Sequence, residues 1–141
     1  MKLKVITVAL FAIFLVGCAT KSSDELFKTG DTTSVELRSF QTRVFDTTDR
    51  KKTLRSIIAT MQDLGFVISK ADSEVGVVTG DKFADEHSVR LSVTVREKND
   101  KQIAVRASAQ QHLKAIEDPE IYQDFFNSLQ KAMFLKAQKV D

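Results

Sequence analysis

Apolar and polar residues alternate with a period of two over two stretches late in the chain. Val89, Leu91, Val93 and Val95 interleave with Arg90, Ser92, Thr94 and Arg96. Ile103, Val105, Ala107 and Ala109 interleave with Gln102, Ala104, Arg106 and Ser108. Strict alternation puts one side of each strand in a core and the other in water, as in an antiparallel sheet covered on one face. Glu97-Lys98-Asn99-Asp100-Lys101 between them predicts a hairpin loop. Upstream the period changes. Leu54, Ile57, Ile58, Met61 and Leu64 recur at three and four, which predicts one apolar helical stripe over Asp49 to Leu64. Asp46-Thr47-Thr48-Asp49 supplies several possible N-caps for that helix, and Gly65 stands where a left-handed C′ residue is expected. Asp118-Pro119 marks a second helix start, and Tyr122, Phe125, Phe126, Leu129 and Met133 form its stripe as far as about Ala137.

The remaining segments are shorter. Phe40, Thr42 and Val44 alternate with Ser39, Gln41 and Arg43, predicting a first strand over Val35 to Phe45. Phe66-Val67-Ile68 restarts extended structure after the first helix, Ala71 to Glu74 reads as a turn, and Val75 to Thr79 as another strand. Gly80 to His87 is polar and reads as the longest connection in the domain. The order is β-α-β-β-β-β-α: an α+β, two-layer fold with an antiparallel sheet of about five strands and two helices on one face. The wiring resembles TBP-like and helix-grip domains of small envelope lipoproteins, a resemblance of element order over residues 35–137.

The N-terminus follows neither period. Met1-Lys2-Leu3-Lys4 is a positive start, and Val5 to Val16 is an apolar run too short to span a bilayer of about 30 Å. It ends in Leu15-Val16-Gly17-Cys18, which resembles the lipobox of bacterial lipoproteins. That resemblance implies cleavage before Cys18 and acylation of Cys18, the sole cysteine. Ala19, in place of an aspartate, implies sorting to the outer membrane, facing the periplasm. The alternative is an uncleaved signal anchor with an inert thiol. On the lipoprotein reading residues 1–17 are the signal peptide, 18–33 a flexible tether, 34–137 a single domain and 138–141 a tail. Thr20 to Thr33 would reach about 45 Å fully extended, so the domain need not touch the membrane.

Composition narrows the function classes. The formal charge of +2 resides in Lys2 and Lys4, so the chain from Cys18 onward is neutral and carries no nucleic-acid footprint. No catalytic or phosphate-binding motif occurs. Asp85-Glu86-His87 is too compact a run to converge on one metal ion, and no cofactor is expected. The exposed sheet face would present Arg90, Thr94, Arg96, Gln102, Arg106 and Ser108. Its arginines are either a basic stripe for an acidic partner or lipid headgroups, or solvated side chains paired with Glu97 or Asp100. On the last helix Phe134 falls on the polar side beside Gln123, Asn127 and Lys131, and with Leu135 it is a candidate edge for docking another protein.

Three further stretches are Leu37 to Asp49, Met61 to Ile68 and Glu117 to Phe126. They resemble a group of small, poorly characterised bacterial lipoproteins, sometimes found with export or efflux components. The expectation is a lipid-anchored, non-enzymatic accessory or structural subunit of an envelope transport or assembly machine. It would work through an envelope protein partner, with Cys18 as the lipid-anchor site and Phe134, Leu135, Arg90, Arg96 and Arg106 as candidate contacts. The rival is a small-ligand or lipid-binding module, its ligand held between sheet and helices.

Overall fold

In a computed structural model, which describes residues 34–84 and 87–138, the alternating stretches form the centre of an antiparallel sheet. The elements in chain order are α1 (Ser34–Gln41), β1 (Thr42–Phe45), α2 (Arg50–Asp63), β2 (Val67–Asp72), β3 (Val77–Ala84), β4 (His87–Asn99), β5 (Gln102–Gln111), β6 (Lys114–Ala115) and α3 (Pro119–Gln138). The sheet order is β1-β5-β4-β3-β2, with the short β6 also paired to β5. Every pairing is antiparallel.

Leu91, Val93 and Val95 of β4 and Ile103, Val105, Ala107 and Ala109 of β5 are buried on the covered face. Leu54, Ile57 and Met61 of α2 and Tyr122, Phe125, Phe126 and Leu129 of α3 complete one core with them. The α+β, two-layer architecture is therefore the one the periodicity predicts, with Leu37 and Phe40 of α1 packed against the same core.

Helix α2 has the expected caps. The Asp49 carboxylate accepts from the Lys52 backbone N–H at 2.9 Å. At the other end Gly65 takes φ +87°, Phe66 N–H reaches Met61 C=O at 2.9 Å, and Gly65 N–H reaches Gln62 C=O at 3.0 Å. That pair of bonds is a Schellman closure, and it aims Phe66 straight back into the core. At the start of α3, Asp118 accepts from the Glu120 N–H at 2.9 Å, with Pro119 at the first helical position.

Three local expectations are corrected. Residues 34–41 are helical, and only Thr42–Phe45 is strand. Leu37, Phe40 and Gln41 have helical spacing, and α1 turns them onto the core and α3; strand geometry would have split them between two faces. The polar stretch after Thr79 is not a long connection either, since β3 runs on to Ala84 and β4 begins at His87. Gly80 is there because the covering layer is close. A Cβ at this position would lie 2.9 Å from Met61 Cε and 3.0 Å from Val67 C=O. Asp81 is polar because it faces away from the core. The β4–β5 hairpin is likewise tighter than expected, with Asp100 and Lys101 at the turn and a bulge between Glu97 and Asn99.

Candidate functional site

The uncovered face of the sheet is built from the second half of each alternation. Cross-strand register sets Val44, Ala104 and Arg96 in one row, Thr42, Arg106 and Thr94 in the next, and Ser108, Ser92 and Thr79 in a third. Thr42, Ser92, Thr94, Arg96, Ala104, Arg106 and Ser108 line one open concavity of about 430 Å³. Its floor is shallow because the side chains between the two arginines are Thr, Ser and Ala. Arg96 lies opposite Ala104, so no long neighbour folds over it.

The structure thus gathers Arg90, Arg96 and Arg106 on one face, but each has a different setting. Arg90 forms an ion pair with Asp81 at 2.8 Å, not with Glu97 or Asp100. That guanidinium, helped by the Ser69 hydroxyl, holds the Asp81 carboxyl below the usual value of 3.8 against the opposing effect of burial. Arg106 donates to Gln41 Oε1 at 3.3 Å. The Arg96 guanidinium makes no hydrogen bond or ion pair among the described residues. Gln102, at the margin of the same face, donates to Asp46 at 2.7 Å.

Behind Arg106 the fold closes a gap in its own edge. The outer side of β5 pairs with β1 up to Arg106 and with β6 from Gln110, leaving residues 107–109 without a partner strand. The fully buried Tyr122 hydroxyl fills that gap. It donates to Ile116 C=O at 2.5 Å and accepts from Ala109 N–H at 3.2 Å and from Gln41 Nε2 at 3.3 Å. One donor and two lone pairs are all used. Gln41 then passes the connection to Arg106, so a core tyrosine and a surface guanidinium share one chain of hydrogen bonds.

The other candidates lie elsewhere. Phe134, on α3, is 62% exposed in a shallow depression with Asn127, Gln130 and Lys131. Leu135 also belongs to α3, but its side chain is outside those described. Cys18, the signal peptide and the tether lie outside the described residues, as do Asp85 and Glu86. His87 and His112 meet edge to face with ring centroids 5.7 Å apart, a contact that only the β4–β5 register creates. His112 and Leu113 form the β5–β6 turn with φ of 54° and 88°, and Leu113 is fully exposed. Two-residue hairpins demand positive φ, but without Asn or Gly the sequence carries no signal for one. Among the described residues no group of three or more His, Cys, Asp or Glu is placed to hold a metal ion. Among the same residues no helix is long and apolar enough to cross a membrane.

No known protein family matches the chain, and no curated protein matches it.

Proposed function

We propose that this chain is a lipid-anchored lipoprotein of the outer membrane, facing the periplasm. It serves there as a non-catalytic accessory subunit of an envelope transport or assembly machine. Acyl chains on Cys18 hold the domain at the membrane, and confinement raises its effective concentration for partners already there. The observation that carries the contact role is the bare, hydroxyl-rich sheet face, set against a filled interior. Tyr122, Phe125, Leu129 and Leu54, none more than 5% exposed, occupy the space between the layers. That packing counts against a ligand held between sheet and helices.

The test has two arms. Cys18→Ser is expected to leave unprocessed protein that no longer fractionates with the outer membrane; unchanged fractionation refutes the anchor. Crosslinking the native lipoprotein in membranes, followed by pull-down, is expected to recover an envelope protein. Recovery of none refutes the subunit role.

A further inference from the structure

The hairpin loop does not supply the partners for the arginines. Within the concavity lined by Thr42, Ser92, Thr94, Arg96, Ala104, Arg106 and Ser108 there are two guanidinium groups and no carboxylate. The acids elsewhere on this face lie outside that lining. Asp81 is paired with Arg90, Asp46 accepts from Gln102, and Asp72 accepts from the Glu74 and Val75 N–H groups at 3.0 and 2.9 Å. The lining of this concavity therefore carries positive charge only, on the side of the sheet that no described element covers.

We propose that this basin docks an acidic, extended segment of a protein partner, with Arg96 and Arg106 taking its carboxylates. The inference rests on the subunit role above and names the partner's chemistry. Arg96 and Arg106 are diagonal neighbours on β4 and β5, since Arg106 faces Thr94 and Arg96 faces Ala104. Diagonal positions lie about 7–8 Å apart, close enough for one acidic stretch to meet both. Arg96 has all five N–H donors to give, and Arg106 keeps most of its own. The hydroxyls of Thr42, Thr94 and Ser108 make no hydrogen bond among the described residues and stand ready for the segment's backbone. A single exposed ion pair contributes only about 0.2–1 kcal/mol. A lone small anion therefore gains little here, whereas a segment with several carboxylates engages both arginines together. Anionic lipid is the poorer fit, because the basin offers Thr, Ser and Ala where a membrane-seated face would carry bulky apolar side chains among its cations.

The probe is a fluorescent synthetic peptide alternating Glu and Ser, titrated by anisotropy against the full-length acylated protein in neutral detergent micelles. Binding is expected, with affinity falling as salt rises. Arg96→Glu is expected to weaken it by about tenfold or more through charge reversal in the basin. Arg55→Glu, an exposed position on α2, is expected to leave it unchanged. Because Arg106 is tied to Gln41, the decisive variant is the one at Arg96. Absence of binding, or equal weakening by Arg55→Glu, overturns the proposal. Displacement of the peptide by phosphatidylglycerol vesicles that bind through Arg96 overturns it too. A partner crosslinked only from α2 or α3 would refute the basin and leave the subunit role standing, whereas capture of no partner refutes that role itself.

Discussion

Tyr122→Phe isolates the hydroxyl that closes the gap along β5. The ring stays in place among Phe125, Phe126 and Leu129, so no cavity opens and the loss is purely of hydrogen bonds. Three groups lose a partner: the Ala109 N–H, the Gln41 side-chain amide and the Ile116 carbonyl. An unsatisfied buried polar group costs about 1–3 kcal/mol. Ala109 is fully buried and Gln41 is 4% exposed, so each is expected to cost about 1 kcal/mol or slightly more. The Ile116 carbonyl is half-buried and recovers part of its loss from water, adding about 0.5 kcal/mol. The expected total is roughly 2.5–3.5 kcal/mol, a large share of the 5–15 kcal/mol that holds a typical domain together. Urea denaturation of wild type and variant measures it, with an unchanged slope showing that the change lies in stability. Amide hydrogen exchange supplies the local readout, in which Ala109 is expected to lose protection more than Val93 or Val105. A destabilisation below about 1 kcal/mol with Ala109 still protected would refute the reasoning, since the edge would then be held by something other than the phenol.

Other perturbations probe independent features. Gly76→Ala is expected to destabilise by roughly 2 kcal/mol or more. Gly76 has φ +81°, and an added Cβ would fall 2.7 Å from Val95 C=O and 2.5 Å from Arg50 Nη2; a thermal melt within a degree of wild type would contradict this. Ser56 and Thr60 carry buried hydroxyls without a hydrogen-bond partner among the described residues. Ser56→Ala and Thr60→Val are therefore expected to raise stability in urea denaturation by up to about 1 kcal/mol, whereas loss of stability would expose a partner these hydroxyls require. The Asp81 carboxyl is depressed, so its contribution is present above its unfolded value of 3.8 and is lost as pH falls through the lower folded value. The stability difference between wild type and Asp81→Asn is accordingly expected to be constant near neutrality and to shrink only below about pH 4, at a size of about 0.2–1 kcal/mol. A difference that instead grows on acidification would show that Arg90 is not the group holding the carboxylate.

Much of the fold was legible because several local signals agreed. The candidate caps Asp46 to Asp49, the Leu54–Leu64 stripe and Gly65 mark one helix by cap, face and stop, and the structure selects Asp49 as the cap and runs α2 from Arg50 to Asp63. The alternation from Val89 and from Ile103 states which side of β4 and β5 is buried, because a period of two admits only one assignment. The uncovered face, with Arg90, Arg96 and Arg106 upon it, followed from the same rule.

What the sequence did not decide lay where local signals were short or ambiguous. Leu37, Phe40 and Gln41 span barely one helical turn, and Phe40, Thr42 and Val44 read equally well as strand. Packing of α1 on α3 broke the tie. Gly80 and Asp81 look like a loop until Met61 is seen above one and Arg90 beside the other. Which arginine is paired depended on strand register, since Asp81 faces Arg90 across the β3–β4 pairing. Side-chain periodicity is written into the chain locally and survives into the fold. Partnership between charges distant in sequence exists only once the sheet is assembled, and so only the tertiary structure leaves Arg96 unpaired, among the described residues, in an open basin.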